Sequence, residues 1–167
     1  MAGNVSGSGL ADADAAVTDM SDITLSIATA DCAPVALASE EGVIGAVHGG
    51  WKGLAEGVLE NTARAMRELG ATRIDAALGP CIHSECYEFG ELQLQDLADK
   101  WGKSIVGSTY SGKPSLNLPI AVMQACVGAD VNLVHQVDTC TACDTSYYSY
   151  RARQDNARQV MLVWRDA

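Results

Sequence analysis

The alternation of apolar and polar positions along the chain predicts strands and helices in regular succession. Short apolar runs, several of them β-branched, predict strands at residues 23–28, 33–38, 43–48, 73–78, 131–137 and 159–164. The first two runs could instead form one strand that bends between them. Apolar positions at helical spacing predict helices at residues 51–69, 91–101 and 118–127. This order of elements predicts a layered α/β fold.

Polar segments between these elements predict the organisation of the chain. Residues 1–9 are small and polar and predict a disordered tail, while residues 10–167 predict a single domain. Residues 102–116 are rich in Gly, Ser, Lys and Pro, which is typical of a surface loop. Residues 81–90 and 138–150 predict two further loops, and both carry reactive side chains.

A thiol and an imidazole follow two of the predicted strands. Cys32 follows the first strand, His48 ends the third, and two glycines then allow a sharp turn into the helix near Trp51. Open α/β sheets place ligands at such strand ends, and a helix N-terminus favours anions and lowers the pKa of a thiol. The two side chains therefore indicate a zinc or copper site or a catalytic Cys–His pair. The alternative is an ordinary buried cysteine.

Four other side chains near this pair could take part in its chemistry. Asp31 could orient His48 or a bound water, or it could simply form a turn. Lys52, at the start of the helix, could hold phosphate as a point charge. Cys81 and His83 project two possible metal donors from one short loop, although from the residues alone we favour a solvent-facing loop with a buried cysteine.

The loop at residues 138–150 contains two further patterns. Cys140 and Cys143 form a C-x-x-C motif, which could be a redox pair or half of a structural zinc site. A second C-x-x-C is absent from the sequence, so we favour a structural role for these cysteines. Three tyrosines and an arginine follow and could stack on a base or form an ordinary strand edge: Tyr147, Tyr148, Tyr150 and Arg151.

Composition narrows the choice of partners and compartment. The chain has 11 basic and 21 acidic residues, a formal charge of −10, which argues against a nucleic-acid interface and against anionic membranes. A small anion in one local pocket remains compatible with this charge. The first nine residues do not resemble a secretory signal, and no apolar run approaches membrane-spanning length. Six cysteines in such a chain indicate thiols or metal ligands, and we expect a cytoplasmic protein.

Four blocks of the sequence resemble the YfiH family, also known as the laccase-domain or purine nucleoside phosphorylase family. They are Thr29–Cys32 (TADC), His48–Gly53 (HGGWKG), Leu78–Gly90, and Cys140–Thr141 followed by Tyr147–Arg151. The blocks occur in the family's order and cover nearly the whole chain. The resemblance implies a mixed β-sheet with flanking helices.

The resemblance also implies the ligands of a metal. In the family, the residues that match Cys32 and His48 are two of three ligands, and the third is a histidine in an upstream Gln-Val-His-Gly segment. The Gln-Val pairs here are Gln136-Val137, which Asp138 follows, and Gln159-Val160, which Met161 follows, so neither has the histidine. We therefore expect a domain that is N-terminally truncated relative to the family, with Cys81 or His83 as the substitute ligand. Lys52 stands where the family normally has arginine.

The activity that this resemblance implies is metal-dependent phosphorolysis of purine nucleosides, with adenosine deamination as a companion activity. We expect zinc, or alternatively copper, at Cys32 and His48, with Asp31 as a proton carrier or orienting group. Phosphate would lie near Lys52, and the purine against the loop at residues 81–90 and against the cluster that contains Tyr150 and Arg151. The expected partners are a purine nucleoside and phosphate. A second copy of the chain is a further candidate partner.

Two other functions remain open at this point. One is copper-dependent oxidation of phenols, an activity also ascribed to the family, although the sequence has only three histidines for a multi-copper array. The other is a catalytically impaired domain that binds metal or nucleoside without turnover, because the third ligand is missing.

Overall fold

The computed structural model describes residues 13–166. Its strands are β1 (Ala15–Thr18), β2 (Leu25–Thr29), β3 (Ala33–Ala38), β4 (Ile44–Gly49), β5 (Asp75–Leu78), β6 (Val106–Ser108), β7 (Pro114–Leu116), β8 (Asn132–Gln136) and β9 (Gln159–Val163). Its α-helices are α1 (Trp51–Ala55), α2 (Val58–Glu68), α3 (Glu91–Trp101), α4 (Leu118–Gly128) and α5 (Tyr150–Arg153). The tail predicted at residues 1–9 lies outside the described residues.

A mixed five-stranded sheet forms the centre of the fold, in the order β1-β4-β3-β5-β8. The pair of β5 and β8 is parallel, and the other three pairs are antiparallel. Strands β2 and β9 form a separate antiparallel ladder, and β6 and β7 form a hairpin. The predicted α/β fold with a mixed sheet and flanking helices is therefore confirmed.

Helices α2 and α4 supply much of the apolar layer that covers this sheet. Leu59 and Met66 of α2 and Val122 of α4 are fully buried, together with Val35 and Leu37 of the central strand β3. Burial of such side chains stabilises each by about 1.5–3 kcal/mol relative to exposure, so this layer fixes the positions of the loops above the sheet. Within residues 13–166, no helix has the length and apolarity needed to span a membrane.

The helix predicted at residues 51–69 is divided into two, so this boundary prediction was wrong. Helix α1 ends at Ala55, and Gly57 adopts a left-handed conformation with φ of 86° before α2 begins. Glycine adopts this conformation without the strain that a Cβ would cause, so the helical pattern of apolar residues continues across a broken backbone. At the other end of α2, Gly70 has φ of 103°, and Ala71 N–H donates to the Met66 carbonyl as in a Schellman motif.

The structure contains strand β1 and the hairpin of β6 and β7, which were not predicted, and it refines two other expectations. The loop predicted at residues 102–116 contains the hairpin of β6 and β7. The loop predicted at residues 138–150 leads into helix α5. The N-cap of this helix is Ser149, whose side chain accepts a hydrogen bond from the amide of Ala152. The first two predicted strands belong to different sheets, which excludes one bent strand. Asp31, with φ of 92°, makes the turn between them.

The pairing of β3 with β4 brings the beginning of one strand against the end of the other. Ala33 lies opposite Gly49, and Pro34 lies opposite His48. The approach is so close that a Cβ on Gly49 would lie 2.8 Å from the main-chain oxygen of Ala33. Glycine at this position therefore lets Cys32, just before β3, lie beside the end of β4.

We expect Gly49→Ala to lower the free energy of unfolding by about 1–3 kcal/mol, because the methyl group must displace main-chain atoms. Gly128→Ala is the matched control, since its Cβ would lie 3.8 Å from the nearest atom, a Glu60 carboxylate oxygen, at the end of α4. The control should leave stability unchanged or raise it by up to about 1 kcal/mol. Urea unfolding monitored by circular dichroism measures both, and equal effects of the two substitutions would contradict the close-approach argument.

Candidate active site

Cys32 and His48 lie side by side at one end of two neighbouring inner strands of the central sheet, β3 and β4. A Cβ built on Gly50 would lie 3.6 Å from the Cys32 sulfur and 3.5 Å from Cε1 of His48. Both side chains are partly exposed. The sequence analysis expected strand C-termini to bring them together, as in a parallel sheet. In the structure, the antiparallel pairing of β3 with β4 does so, because it places the start of β3 beside the end of β4.

Asp14 holds the imidazole of His48 in position. The Nδ1 atom of His48 donates to Oδ1 of Asp14 at 2.8 Å, and its backbone N–H donates to the Asp14 carbonyl at 2.7 Å. The register of β1 on β4, which pairs Ala15 with Val47, places Asp14 next to His48. Asp31 was expected as a possible orienting carboxylate for His48, but Asp14 makes this contact. The sequence analysis predicted no strand at residues 15–18, so it gave no signal that singled out Asp14.

The environment of His48 favours its protonated form. Hydrogen bonding with the Cys32 side chain is the main cause that raises the pKa of His48, to about 9. Partial burial opposes this rise, and the hydrogen bond to Asp14 adds to it. The ring therefore has a carboxylate on one nitrogen and lies within reach of the cysteine side chain.

Asp31 is buried and joins three segments of the chain. Its Oδ1 accepts a hydrogen bond from the Thr141 hydroxyl at 2.8 Å, and its Oδ2 accepts one from the amide of Arg151 at 2.7 Å. Its carbonyl accepts a third from the amide of Ile82 at 2.9 Å. Asp31 thus connects the turn that carries Cys32 with the loops at residues 81–90 and 138–150 and with the start of helix α5.

The expected substitute ligands, Cys81 and His83, lie in two different environments. Cys81 is fully buried, and burial raises the pKa of its thiol. His83 lines a different cleft, together with Glu85 and Asp138. In the part of the chain that the structure describes, neither joins Cys32 and His48 in a group of three donor atoms within 4.8 Å of one another.

An open cleft of about 200 Å³ leads to His48. Its lining residues are Asp14, His48, Gly50, Trp51, Lys52 and Gly53. Lys52 is exposed, and its Nζ lies 5.5 Å from the centroid of the Trp51 ring. Because α1 has only five residues, its dipole contributes little, and Lys52 supplies an exposed positive charge beside His48 and Asp14 in this cleft.

Aromatic rings connect this cleft with helix α5. The Trp51 and Phe89 rings meet edge to face with centroids 5.2 Å apart, and Tyr87 meets Phe89 in the same way at 5.6 Å. The Arg151 guanidinium lies 4.9 Å from the centroid of Tyr87. Burial raises the pKa of Tyr87 to about 12, so its phenol stays neutral. The sequence analysis assigned this role to the loop at residues 81–90, which contains Tyr87 and Phe89, and to Tyr150 and Arg151, but it missed Trp51.

The donor chemistry of Cys32 and His48 fits a zinc or copper ion. Thiolate and imidazole suit both metals, and a metal-ligating histidine ordinarily donates its other ring N–H to a carboxylate, as His48 does to Asp14. A catalytic zinc site ordinarily has three protein ligands. Cys32 and His48 would supply two of these three ligands.

Several proteins named for purine nucleoside chemistry are similar to this chain. The purine nucleoside phosphorylase of Deinococcus radiodurans is 38% identical over 162 residues, which covers 93% of this chain and 61% of the relative. The purine nucleoside phosphorylase of Corynebacterium glutamicum is 33% identical over 154 residues, which covers 90% and 62%. The adenosine deaminase RL5 of an unknown prokaryotic organism is 31% identical over 151 residues, which covers 83% and 56%. The chain thus spans less than two thirds of the length of these relatives.

Solved structures and a family model agree with these relatives. A Neisseria meningitidis protein superposes with a TM-score of 0.85 at 30% identity, covering 95% of this chain and 67% of that protein. The Bacillus licheniformis protein YfiH superposes with a TM-score of 0.82 at 24% identity, covering 92% and 61%, which shows the shared fold. The model of the multi-copper polyphenol oxidoreductase laccase family matches residues 2–166. The resemblance to YfiH proteins is confirmed, and the chain belongs to this laccase-like family.

Proposed function

We propose that this chain carries out metal-dependent phosphorolysis of purine nucleosides. The observation that carries the proposal is the arrangement of Cys32 beside His48, with Asp14 fixed on the far nitrogen of the imidazole. The neighbouring cleft offers a lysine for an anion, and the aromatic rings beside it offer faces for a base. Similar proteins that are named purine nucleoside phosphorylases support this choice of reaction.

In this proposal, each group near the cleft has a defined task. Cys32 and His48 hold the metal, which supplies Lewis-acid polarisation when it is bound. Asp14 keeps the imidazole in one orientation, and Lys52 offsets part of the charge of phosphate. Asp31 acts as a positioning residue, because both of its carboxylate oxygens accept hydrogen bonds from the protein.

The purine would lie along the aromatic rings and the arginine beside them. The rings of Trp51, Phe89 and Tyr87 meet edge to face, and with the Arg151 guanidinium they form an aromatic, partly charged surface between the cleft and helix α5. Stacking on aromatic faces is tolerant of the base. The same surface therefore accommodates adenosine, and deamination of adenosine is the companion activity that we propose.

Oxidation of phenols with copper is the second candidate, because the matching family model is described as a polyphenol oxidoreductase. A multi-copper array requires many histidines, and the sequence has three. We therefore place this activity second. A domain that binds nucleoside without turnover is the third candidate, since two protein ligands hold a metal less tightly than three.

An assay of inosine and adenosine, with and without phosphate, tests the proposed reaction. We expect phosphate-dependent release of the free base from zinc-loaded protein and its loss, by at least about 100-fold, in Cys32→Ser and His48→Ala. Cys126→Ser is the matched control, because Cys126 is buried in α4 away from the cleft. Turnover of a phenol by copper-loaded protein, without base release in any metal form, would favour the second candidate. Nucleoside binding without either reaction would favour the third.

We expect Asp14→Asn to lower kcat/KM and the affinity for zinc by about 10–100-fold, because the amide cannot hold the imidazole as the carboxylate does. Asp19→Asn is the control, since Asp19 is an exposed aspartate in the same segment. Metal affinity is measured by competition with a chelator, and turnover with inosine. A variant with unchanged metal affinity would show that Asp14 does not orient a ligand.

We expect Lys52→Gln to raise the KM for phosphate several-fold and Lys52→Arg to lower it, because a guanidinium holds phosphate through two hydrogen bonds. Lys103→Gln, an exposed lysine outside the cleft, is the control. The measurement is the KM for phosphate at saturating nucleoside. If all three variants matched the parent chain, Lys52 would not contact phosphate.

A further inference from the structure

We propose that Glu85, Cys86, Cys140 and Cys143 form a structural zinc site, separate from the Cys32–His48 pair. Each residue offers one donor atom, and the four atoms lie within 4.8 Å of one another. The sulfurs of Cys86 and Cys143 are 3.3 Å apart. Tetrahedral zinc with zinc–sulfur bonds of about 2.3 Å places its sulfurs about 3.8 Å apart, so a small opening admits the ion.

The fold brings these donors together from two distant loops. Glu85 and Cys86 lie in a short 3₁₀ helix, residues Ser84–Cys86, in the loop after β5. Cys140 and Cys143 lie in a tight turn, in which the amide of Cys143 donates to the carbonyl of Cys140 at 3.1 Å. A parallel bridge between Cys81 and Cys140, with the Thr141 amide donating to the Cys81 carbonyl at 3.1 Å, joins the two loops.

Main-chain and side-chain contacts prepare the cluster for a cation. The amide of His83 donates to the Cys140 sulfur at 3.4 Å, the kind of contact that orients a metal-bound thiolate. The Nδ1 atom of His83 lies 3.9 Å from Oε1 of Glu85, so the imidazole ring faces the carboxylate. These two polar contacts lie beside sulfurs that otherwise pack against the apolar core.

The kind of ion follows from the donors. Three sulfurs exclude calcium and magnesium, which take oxygen ligands, and they select a thiophilic ion such as zinc. Four protein ligands fill a tetrahedral site and leave no position for a substrate. Cys140 is buried, Glu85 and Cys86 are half-buried, and Cys143 is exposed, so the ion enters from the Cys143 side.

A disulfide between Cys86 and Cys143 explains the cluster less well. Such a bond would use two of the sulfurs and leave the sulfur of Cys140 and the carboxylate of Glu85 without a reason to converge. A zinc ion uses all four donors. The C-x-x-C motif is therefore completed by Cys86 and Glu85 from the other loop, and a second C-x-x-C is not required.

The position of this site gives the ion a structural task. Thr141, next to Cys140, donates its hydroxyl to Asp31, and Asp31 in turn accepts the amide of Arg151. Zinc at the cluster would fix the loop that carries Thr141 and so hold Arg151 in place. This inference is independent of the proposed nucleoside reaction, because metal content and stability test it without any turnover.

Zinc content of reduced, zinc-loaded and gel-filtered protein tests the proposal. We expect Cys143→Ser and Cys86→Ser each to lose one zinc per chain relative to the parent, with the dissociation constant raised at least about 100-fold. Cys126→Ser is the matched control and should retain the parent content. Cys32→Ser/His48→Ala, which removes the other pair of donors, should still bind one zinc. Because Cys143 is exposed, its replacement should leave the circular dichroism spectrum unchanged.

Cobalt(II) in place of zinc provides a second measurement that does not depend on the double variant. We expect thiolate-to-cobalt charge-transfer bands and strong tetrahedral bands in Cys32→Ser, and a weaker charge-transfer band in Cys143→Ser. Zinc should also raise the melting temperature of Cys32→Ser/His48→Ala and leave that of the same double variant with Cys143→Ser added unchanged.

Three results would overturn the proposal. The first is parent-like zinc content in both Cys86→Ser and Cys143→Ser. The second is absence of thiolate-to-cobalt bands from Cys32→Ser under reducing conditions. The third is a Cys86–Cys143 disulfide that mass spectrometry detects in the presence of reductant, since it would consume two of the donors.

Discussion

The antiparallel pairing of β3 with β4 is the interaction on which the candidate site depends. It places the first residue of β3 against the last residue of β4, at a separation that only glycine at position 49 allows. Cys32 and His48 are neighbours because each is adjacent to this contact. The pairing of β1 on the other side of β4 adds Asp14 by the same rule of register. The register of the main-chain pairing thus brings these three side chains together, and the hydrogen bond between the His48 ring and Asp14 fixes the imidazole.

Much of the fold could be predicted from periodicity, and the errors have physical causes. The apolar stripe of helix α3 gave its bounds, Glu91–Trp101, because no glycine interrupts it. The stripe at residues 51–69 predicted one helix, because apolar spacing does not report the left-handed turn at Gly57. The hairpin of β6 and β7 was missed since its strands have three residues each, too few for an alternating pattern.

The candidate site could be predicted only where the sequence places its residues next to strand ends. Cys32 and His48 fulfilled this condition, and the family resemblance singled them out. Asp14 and Cys86 owe their roles to the register of β1 and to a bridge between two loops, which are long-range contacts. A single sequence does not encode such contacts in local spacing. Asp31 was found by its place beside Cys32, but its bonds to Thr141 and Arg151, more than 100 residues further on, were not predictable.

The pairing of β2 with β9 has a consequence for the order in which the chain folds. Thr29, just before the turn that carries Cys32, lies opposite Gln159, which follows it by 130 residues. Closing so long a segment of chain is slow, because its conformational entropy is lost before the contact stabilises the fold. On the ribosome, this edge of the turn therefore remains open until β9 has been synthesised. All strands of the central sheet precede β9 in the sequence, so the chain that carries Cys32 and His48 is synthesised before the strand in front of Cys32 has its partner.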